Sequence, residues 1–224
     1  MSHFKTVFLT GGARGIGAAI ALELKATGYQ VIAPSRDELN LSSRESVDAF
    51  LASRPDLIVD ILINNAGENH PQLIGEISNE NWMRTLHVNL GSALRLIQFF
   101  APLMAERGYG RILNTSSILG TVTKEGRSVY SMTKAALDAL TRSAAVEFGP
   151  KGVVVNSLAP GYVDTQMTRQ NNSHAEMEAI TSSIPLRRMA RPEELAKVAA
   201  FLVSDVNTYI TGQTIVADGG FTCQ

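Results

Sequence analysis

The feature that most constrains the fold is a glycine-rich turn near the amino terminus, between a short apolar run and a helical stretch. Residues 5–10 form an apolar, β-rich run, which is typical of a buried parallel strand. The turn at 10–17 reads Thr-Gly-Gly-Ala-Arg-Gly-Ile-Gly, and the helical composition of 18–27 ends at Gly28, a predicted C-cap. Such a turn lets the backbone approach a pyrophosphate, whose charge the helix N-terminus stabilises. Taken alone, the same glycines could also form a purely structural turn.

The rest of the chain alternates between strand-like and helical patterns. Apolar, β-rich runs recur near 30–34, 60–64, 111–116, 153–158 and 214–217. Helical patterns lie near 15–27, 43–53, 79–107, 128–149 and 192–204. This alternation predicts an α/β fold with a single Rossmann-like, doubly wound parallel sheet that is covered on both faces. Since the strand ends of such a sheet line one crevice, we expect the glycine turn, Asn65, Ser117 and Pro160 to meet there.

Residue type and spacing also predict a proton-transfer site. Tyr130 and Lys134 are spaced as i and i+4 in a helical stretch, so their side chains share one face. A phenol has a pKa of about 10, and a nearby ammonium lowers that pKa. The hydroxyl of Ser117, at the end of the run near 111–116, would complete a site that moves a proton to or from a carbonyl oxygen.

Together these motifs resemble the short-chain dehydrogenase/reductase family, in family order and at family spacing over nearly the whole chain. The matching residues are Thr10-Gly11, Gly15-Ile16-Gly17, Asn64-Asn65-Ala66-Gly67, Asn89, Ser117, Tyr130-Ser131-Met132-Thr133-Lys134, Pro160-Gly161 and Asp218-Gly219-Gly220. The resemblance implies an oxidoreductase that transfers a hydride between a nicotinamide and a small-molecule carbonyl or secondary alcohol. The whole chain resembles β-ketoacyl carrier-protein reductases. The segment 171–188 loosely resembles members that act on sugar-nucleotide or surface-glycan precursors.

The resemblance also implies four catalytic residues. Tyr130 would act as the general acid or base, and Lys134 would hold the nicotinamide ribose and depress the pKa of the tyrosine. Ser117 would hydrogen-bond the substrate oxygen, and strand alternation is expected to turn the neighbouring Ser116 the other way. Asn89 lies inside a helical stretch, where asparagine is not favoured by propensity. In the family, this asparagine kinks its helix and holds a water in a proton relay with the lysine.

The cofactor-binding residues follow from the same resemblance and lie at several strand ends. We expect the glycine turn to line the pyrophosphate and the adenosine ribose, and the other segments to contact the adenine, the nicotinamide and its ribose. The full set is Gly11, Arg14, Gly15, Ile16, Gly17, Ser35, Arg36, Asn40, Leu41, Asn65, Ala66, Gly67, Tyr130, Lys134, Pro160, Gly161, Val163 and Thr165.

The charge around the second strand favours NADP(H) over NAD(H). An acid at the end of that strand favours the ribose 2′-hydroxyl, whereas an arginine accommodates a 2′-phosphate. Here the strand runs into Ser35 and Arg36, and Arg14 in the glycine turn can approach the same phosphate. We interpret Asp37 and Glu38, which follow directly, as solvated loop acids rather than ribose ligands.

The chain departs from the family after the second strand. A typical member has a helix and a further strand at this point, but here residues 30–35 lead at once into 36–41. A parallel crossover needs about a dozen residues, so we predict that this helix is missing and that the edge strand is reduced or absent. Asn40 and Leu41 then occupy the place where the family has an aspartate beside the adenine.

The composition of the chain limits which partners and which cellular compartment are expected. The chain has 20 Lys and Arg against 21 Asp and Glu, which gives no reason to expect nucleic acid or an anionic membrane as a partner. The single Cys223 cannot form an internal disulfide, which fits a reducing compartment. No leader is expected before the first strand, and no apolar stretch is expected to approach the roughly 20 residues of a membrane helix, so we expect a cytoplasmic protein. His70 and His87 have no second ligand at metal-site spacing, so no metal site is expected.

The same pattern predicts one domain over 1–224, a substrate lid near 162–191 with a mobile polar tip at 171–174, and a homo-oligomer. The two long helical stretches carry apolar residues on more than one face, so a tetramer, or failing that a dimer, is expected. Two alternatives are a catalytically inactive dinucleotide-sensing or scaffold protein of the same fold, and an epimerase or dehydratase with tightly held cofactor. The presence of the Asn, Ser, Tyr and Lys together disfavours the first alternative. The second usually has a longer chain with an added substrate domain.

Overall fold

The computed structural model describes residues 4–223 as six strands flanked by helices. The strands are β1 Thr6–Leu9, β2 Gln30–Ile32, β3 Ile61–Asn64, β4 Gly110–Thr115, β5 Val153–Pro160 and β6 Thr214–Ala217. The α-helices are α1 Gly15–Ala26, α2 Arg44–Ala52, α3 Asn79–Leu86, α4 Ser92–Glu106, α5 Ser128–Phe148, α6 Gln166–Gln170, α7 His174–Ser183 and α8 Pro192–Val203. Most of these elements coincide with the predicted ones within a few residues.

All six strands pair in parallel to form one sheet, in the order β2-β1-β3-β4-β5-β6. Side chains of alternating direction give the sheet two apolar faces. One face carries Phe8, which packs with Phe50 of α2 and Phe100 of α4 at ring centroid distances of 5.7 and 5.4 Å. The other face carries Leu9 and is covered by α1 and α8. The predicted doubly wound α/β fold is therefore confirmed.

The predicted departure after the second strand is also confirmed. β2 is the edge strand and is only 3 residues long. Residues 33–43 contain no helix, and the next element is α2, which begins after the N-cap Ser43. Leu39 in this connection is 5% exposed and packs into the core with Phe8 and Phe50. The buried Leu39 side chain therefore anchors the shortened connection to the core of the domain.

The long helix predicted near 79–107 is interrupted at Asn89, the position where the family resemblance implies a kink. α3 and α4 are joined by a π-helical segment, His87–Gly91, with the buried Asn89 at its centre. Such π segments are frequent at functional sites because the wider turn re-aims a side chain.

α3, the π segment and α4 together form the helical span Asn79–Glu106, which also bears on the membrane expectation. By length and composition it suffices to cross a membrane, with 28 residues and a mean hydropathy of 1.2 over an 18-residue window. The expectation that no stretch approaches this size was therefore wrong by this measure. However, 44% of the window is buried, and Leu96, Phe100 and Met104 lie in the core beneath the sheet. Core helices of globular domains pass the same test, so the span is weak evidence for a membrane segment.

Two short helices in the 162–191 segment were missed from the sequence. α6 and α7 are separated by Asn171 and Asn172 and begin at the N-caps Thr165 and Ser173. Both N-caps accept a backbone hydrogen bond, and Ser173 forms a capping box with Glu176. The predicted polar tip at 171–174 therefore includes the start of a capped helix.

Phe100→Ala is expected to lower the free energy of unfolding by about 3–5 kcal/mol, because it opens a cavity where three aromatic rings meet. Phe100 is 1% exposed and also contacts Phe99 at a ring centroid distance of 5.0 Å. Urea denaturation at fixed protein concentration would measure the change. Leu22→Ala is the control, because Leu22 is 69% exposed, and it should change stability by no more than about 0.5 kcal/mol. Equal losses in the two variants would contradict this description of the core.

Candidate active site

A cleft of about 420 Å³ runs along the carboxyl edge of the sheet. Its walls come from segments that are far apart in the sequence but follow β1, β2, β3, β4 and β5. All 18 residues expected to bind the cofactor line this cleft, as does Ser117. Other lining residues stand outside the predicted cofactor-binding set, including Gly12, Pro34, Leu39, Ser42, Glu68, Val88, Thr115, Gln166, Met167 and Thr168.

The glycine turn fits a phosphate-containing ligand. α1 begins at Gly15, and its N-cap Arg14 makes no side-chain capping bond, so no side chain shields this helix terminus. Gly11 and Gly15 have positive φ angles of 69° and 55°, which favour glycine. A Cβ added at Gly11 would lie 2.9 Å from the Ala66 Cα. The turn thus presents uncapped backbone N–H groups in a cradle that side chains would fill, as a pyrophosphate requires.

Asn65 ties this turn to the neighbouring strand. Its side-chain amide donates to the carbonyl oxygens of Thr10 and Gly11 at 3.1 and 3.2 Å, and its backbone N–H donates to the Thr10 hydroxyl at 3.1 Å. Ala66 donates its backbone N–H to the same hydroxyl at 3.1 Å. Asn65 therefore lines the cleft chiefly as the support of the glycine turn.

Tyr130 and Ser117 stand together at the inner end of the cleft. Ser117 follows β4 and accepts a hydrogen bond from the backbone N–H of Leu119 at 3.1 Å. Ser116 instead donates its hydroxyl to the Lys134 carbonyl at 3.3 Å, so the two serines have different partners. Burial raises the pKa of the Tyr130 phenol, while hydrogen bonding to the Ser117 side chain and the positive charge of Arg127 oppose that rise.

Lys134 and Asn89 lie behind the tyrosine, on either side of Gly67. The Lys134 ammonium is 2% exposed, donates to the Thr115 carbonyl at 2.6 Å and lies 5.5 Å from the Tyr130 ring centroid. Burial lowers its pKa to about 8, and the nearby Asp138 partly offsets that effect. A Cβ added at Gly67 would lie 3.4 Å from the Lys134 Nζ and 3.5 Å from the Asn89 Oδ1.

The Asn89 side chain makes three hydrogen bonds to its neighbours. Its Nδ2 donates to the Glu68 carbonyl and to the Thr133 hydroxyl at 3.0 and 3.1 Å, and its Oδ1 accepts from the Glu68 backbone N–H at 2.9 Å. The Glu68 carboxylate is paired with Arg84 at 2.8 Å, and its other oxygen lies 3.6 Å from the His70 Nε2. The only acidic residue among those that line the cleft in the described chain is thus neutralised locally.

At the opposite end of the cleft, Arg14, Ser35 and Arg36 all line the wall. Asp37 and Glu38 do not, but Glu38 accepts the backbone N–H of Ser35 at 2.8 Å, and this bond lowers the pKa of its carboxyl group. The exposed end of this wall therefore combines two arginines with one carboxylate that is held against the backbone. Asn40 and Leu41 complete it, and the Asn40 Oδ1 accepts from the backbone and hydroxyl of Ser42.

The remaining wall follows β5. Pro160 ends that strand, and Gly161 approaches Asp218 so closely that an added Cβ would lie 2.6 Å from the Asp218 Cβ. Val163 forms a bridge with Ala190, and Thr165 caps α6. Arg14 donates to the Gln166 side chain at 3.1 Å, so this wall also contacts the glycine turn.

A second cavity of about 90 Å³ adjoins the cleft at Ser117 and Tyr130, which line both. Its other polar walls include Asn69, Lys124, Arg127 and Tyr162. Lys124 and Arg127 are not among the predicted catalytic or cofactor-binding residues. The i, i+3 spacing of Arg127 and Tyr130 was the available signal, because it places both side chains on one side of the start of α5.

Comparison with known proteins is consistent with this geometry. A family model described as enoyl-(acyl carrier protein) reductase matches residues 38–222. The 3-oxoacyl-(acyl-carrier-protein) reductase FabG of Pseudomonas aeruginosa is 36% identical over 239 residues, covering 96% of each chain. The acetoacetyl-CoA reductase of Rhizobium meliloti is 37% identical over 235 residues, covering 96% of this chain and 98% of the relative.

A solved structure matches the chain over the same span. A putative NAD(P)-dependent gluconate 5-dehydrogenase from Beutenbergia cavernae, with NADP bound at low occupancy, superposes with a TM-score of 0.94. It is 33% identical, and the match covers 98% of this chain and 97% of that one. The relatives and the solved structure span nearly the whole chain, and the family model matches the part that begins after β2. The chain therefore belongs to the short-chain dehydrogenase/reductase family.

Proposed function

We propose that the protein is an NADP(H)-dependent oxidoreductase that interconverts a small-molecule carbonyl compound and the corresponding secondary alcohol. The observation that carries the proposal is the position of Tyr130 and Ser117 where two cavities meet. The larger cavity has the shape and the uncapped helix terminus that a dinucleotide requires, and the smaller one has room for a substrate group. A carbonyl at the junction would face a proton donor and a hydrogen-bond donor at once.

When bound, the nicotinamide supplies a hydride to the carbonyl carbon, or accepts one from the alcohol in the reverse direction. Tyr130 gives its phenolic proton to the carbonyl oxygen as the carbon–oxygen double bond becomes single, so the products are an alcohol and a phenolate. Ser117 donates a hydrogen bond to the same oxygen and stabilises the developing negative charge. A proton taken up from solvent then restores the phenol.

Lys134 and Asn89 would support this step from behind. The Lys134 ammonium is close enough to stabilise the phenolate electrostatically, and its pKa of about 8 leaves it mostly protonated at neutral pH. Asn89 fixes the Glu68 backbone beside Gly67, which keeps the space next to the ammonium open. We assign Asn89 the role of holding a water between the ammonium and solvent.

The preference for NADP(H) rests on the exposed end of the cleft. Arg14 and Arg36 line the cleft, where a 2′-phosphate would meet them, and neither is paired with a carboxylate in the described part of the chain. Glu38 is the opposing element, because its carboxylate occupies the Ser35 N–H. Since Glu38 itself does not line the cleft, we favour the two arginines.

The remaining features of the proposal concern the lid, the assembly and the compartment. We assign 162–191 as a substrate lid, because Tyr162, Met167 and Asn171 from this segment line the second cavity. A homotetramer is our proposal for the assembly, and the cytoplasm is our proposal for the compartment. The inactive sensor or scaffold alternative is disfavoured, because the tyrosine, serine, lysine and asparagine lie together at one end of the cleft.

The names of the relatives do not select a substrate. Those of the two curated relatives point to thioesters, whereas that of the solved structure points to a sugar acid. A sugar-nucleotide or surface-glycan precursor also stays open, because no described contact distinguishes it. The substrate therefore has to be argued from the second cavity itself.

Tyr130→Phe is expected to lower turnover by at least about 100-fold while leaving cofactor affinity nearly unchanged, because it removes only the transferable proton. Oxidation of NADPH over a panel of ketones would measure turnover, and fluorescence titration would measure cofactor binding. Tyr209→Phe is the matched control, because Tyr209 is 97% exposed. Turnover like that of the wild type in Tyr130→Phe would remove the tyrosine from its catalytic role.

Arg36→Asp is expected to shift the ratio of kcat/KM for NADPH and NADH toward NADH by roughly 10- to 100-fold. It removes a charge-assisted bond worth about 1.5–3 kcal/mol and adds repulsion toward the 2′-phosphate. Lys25→Asp, at the end of α1 remote from the cleft, controls for the change in net charge. Glu38→Gln should raise the preference for NADPH. A wild type that prefers NADH, together with a loss of that preference in Glu38→Gln, would show that Glu38 binds the ribose instead.

The assembly prediction rests on the outer faces of α4 and α5. Of the apolar residues on the two long helices, Ile97, Phe100 and Leu137 are buried in the core, but Leu94 and Val146 are 41% and 79% exposed. We expect light scattering to give the mass of a tetramer. Val146→Asp should shift the protein to a smaller species, whereas Leu22→Asp on α1 should not. A wild-type monomer at micromolar concentration would refute the proposal.

A further inference from the structure

Arg127 is a buried cation with an unused donor. Its side chain lines the second cavity and is 5% exposed. The Nη2 donates to the Asn171 carbonyl at 2.9 Å, but the buried Nη1 has no hydrogen-bond partner. Within residues 4–223 no ion pair involves Arg127. Buried guanidinium groups are normally paired with a carboxylate or phosphate, so this one is a candidate partner for an anionic ligand.

Lys124 adds a second cation to the same cavity. Its ammonium is partly buried and donates to the Asn172 Oδ1 at 2.9 Å, again without a carboxylate within ion-pair distance in the described chain. Glu176 attracts both cations from a distance, but it is exposed and its carboxylate is used in the capping box with Ser173. Glu176 therefore does not form an ion pair with either cation, because its carboxylate is bonded to Ser173.

Three physical costs oppose this placement of charge in the unliganded protein. Burial lowers the pKa of both Arg127 and Lys124, and the repulsion between them lowers that of Lys124 further. Arg127 is also the N-cap of the 21-residue helix α5, where the helix dipole is positive and a cation is unfavourable. A bound anion would offset these costs by attracting both cations, whereas a neutral ligand would not.

The geometry points to a substrate that carries a carboxylate close to its reacting carbonyl, bound by Arg127 with help from Lys124. This inference rests on the proposed function. Arg127 and Tyr130 are spaced as i and i+3 at the start of α5, so their Cβ atoms are neighbours at about 5–6 Å. Both line a cavity of only about 90 Å³. The anionic group therefore lies within a few bonds of the carbon that is reduced, as in a short keto acid or hydroxy acid.

This assignment separates the substrate from the thioesters named for the curated relatives. A thioester has no charge near its ketone and would leave the Arg127 Nη1 unpaired. The cavity is also lined by polar side chains, and among them the buried Asn69 Oδ1 has no hydrogen-bond partner in the described chain. The competing explanation is that Arg127 only clamps the lid through Asn171. A clamp would not distinguish an acid from its neutral analogue.

The test compares matched charged and neutral ligands on the protein loaded with NADP⁺. Calorimetry would measure the affinity for isobutyrate and for isobutyramide, which differ mainly in charge. NADPH oxidation would give kcat/KM for acetoacetate and for methyl acetoacetate. The variants are Arg127→Gln, Arg127→Lys and Lys124→Gln, with Lys197→Gln, exposed on α8, as the control.

We expect the wild type to favour the acid over its neutral analogue by roughly 10-fold or more in both measurements. Arg127→Gln should abolish this preference, Arg127→Lys should retain part of it, and Lys124→Gln should weaken it. Lys197→Gln should leave it unchanged. If Arg127→Gln does not fold, the wild-type ratio and the other two variants decide the question.

Equal affinity of the wild type for isobutyrate and isobutyramide would overturn the inference, as would an unchanged preference in Arg127→Gln. The proposed function fails separately. If Arg127 governs isobutyrate binding but no ketone or keto acid is reduced, the anion site stands and the oxidoreductase proposal does not. If the acid and the ester are reduced equally well by a route that needs Tyr130, the reductase proposal stands and the carboxylate site does not.

Discussion

The site depends on a close approach of two backbone segments at the carboxyl edge of the sheet. The turn after β1 and the segment after β3 come so near that an added Cβ at Gly11 would lie 2.9 Å from the Ala66 Cα. A Cβ at Gly17 would collide with the Gly11 carbonyl oxygen. Asn65 holds the approach through two bonds to carbonyl oxygens of the turn. The glycines and the asparagine therefore act as one unit, which aims the N-terminus of α1 at the cleft.

The walls of the two cavities carry an excess of positive charge. The chain carries a formal net charge of −1, yet the described walls of the two cavities hold five cations, Arg14, Arg36, Lys124, Arg127 and Lys134. The one acid on those walls, Glu68, is paired with Arg84. A low-dielectric cleft of one sign concentrates ligands of the opposite sign. Such a field suits a polyanionic dinucleotide at one end and an anionic substrate at the other.

The sheet and the positions of the expected site residues could be predicted because they follow from local patterns. Short apolar runs and glycine punctuation locate the strands, and parallel topology then brings their ends together whatever their separation in sequence. The short second strand and the absence of the crossover helix could also be predicted, since too few residues lie between β2 and α2 to form that helix and a further strand. Chain length is a strong constraint when a parallel connection must cross the sheet.

Other features depend on tertiary contacts that no local pattern reveals. The π segment around Asn89 is stabilised by hydrogen bonds to Glu68 and Thr133, which come from other parts of the chain. Asn171 and Asn172 look like a mobile tract in sequence, but Arg127 and Lys124 bond to them in the fold. The pKa of Tyr130 is another property that depends on tertiary contacts rather than on spacing. Spacing predicts a lowered phenol pKa, whereas burial dominates in the unliganded protein and raises it.

The two cavities also explain why family membership leaves the substrate open. The dinucleotide cleft is built from strand ends, whose positions the sheet fixes, so its residues match the family motifs. The second cavity is lined by Asn69, by residues 117–130, which lead into α5, and by residues 161–172, which include α6, so its walls are loops and helix ends rather than strands. Connections tolerate substitution without loss of the fold, and specificity resides there for the same reason. Tyr130 and Ser117 line both cavities, so a shared reaction can be combined with a substrate preference that is set by side chains such as Arg127.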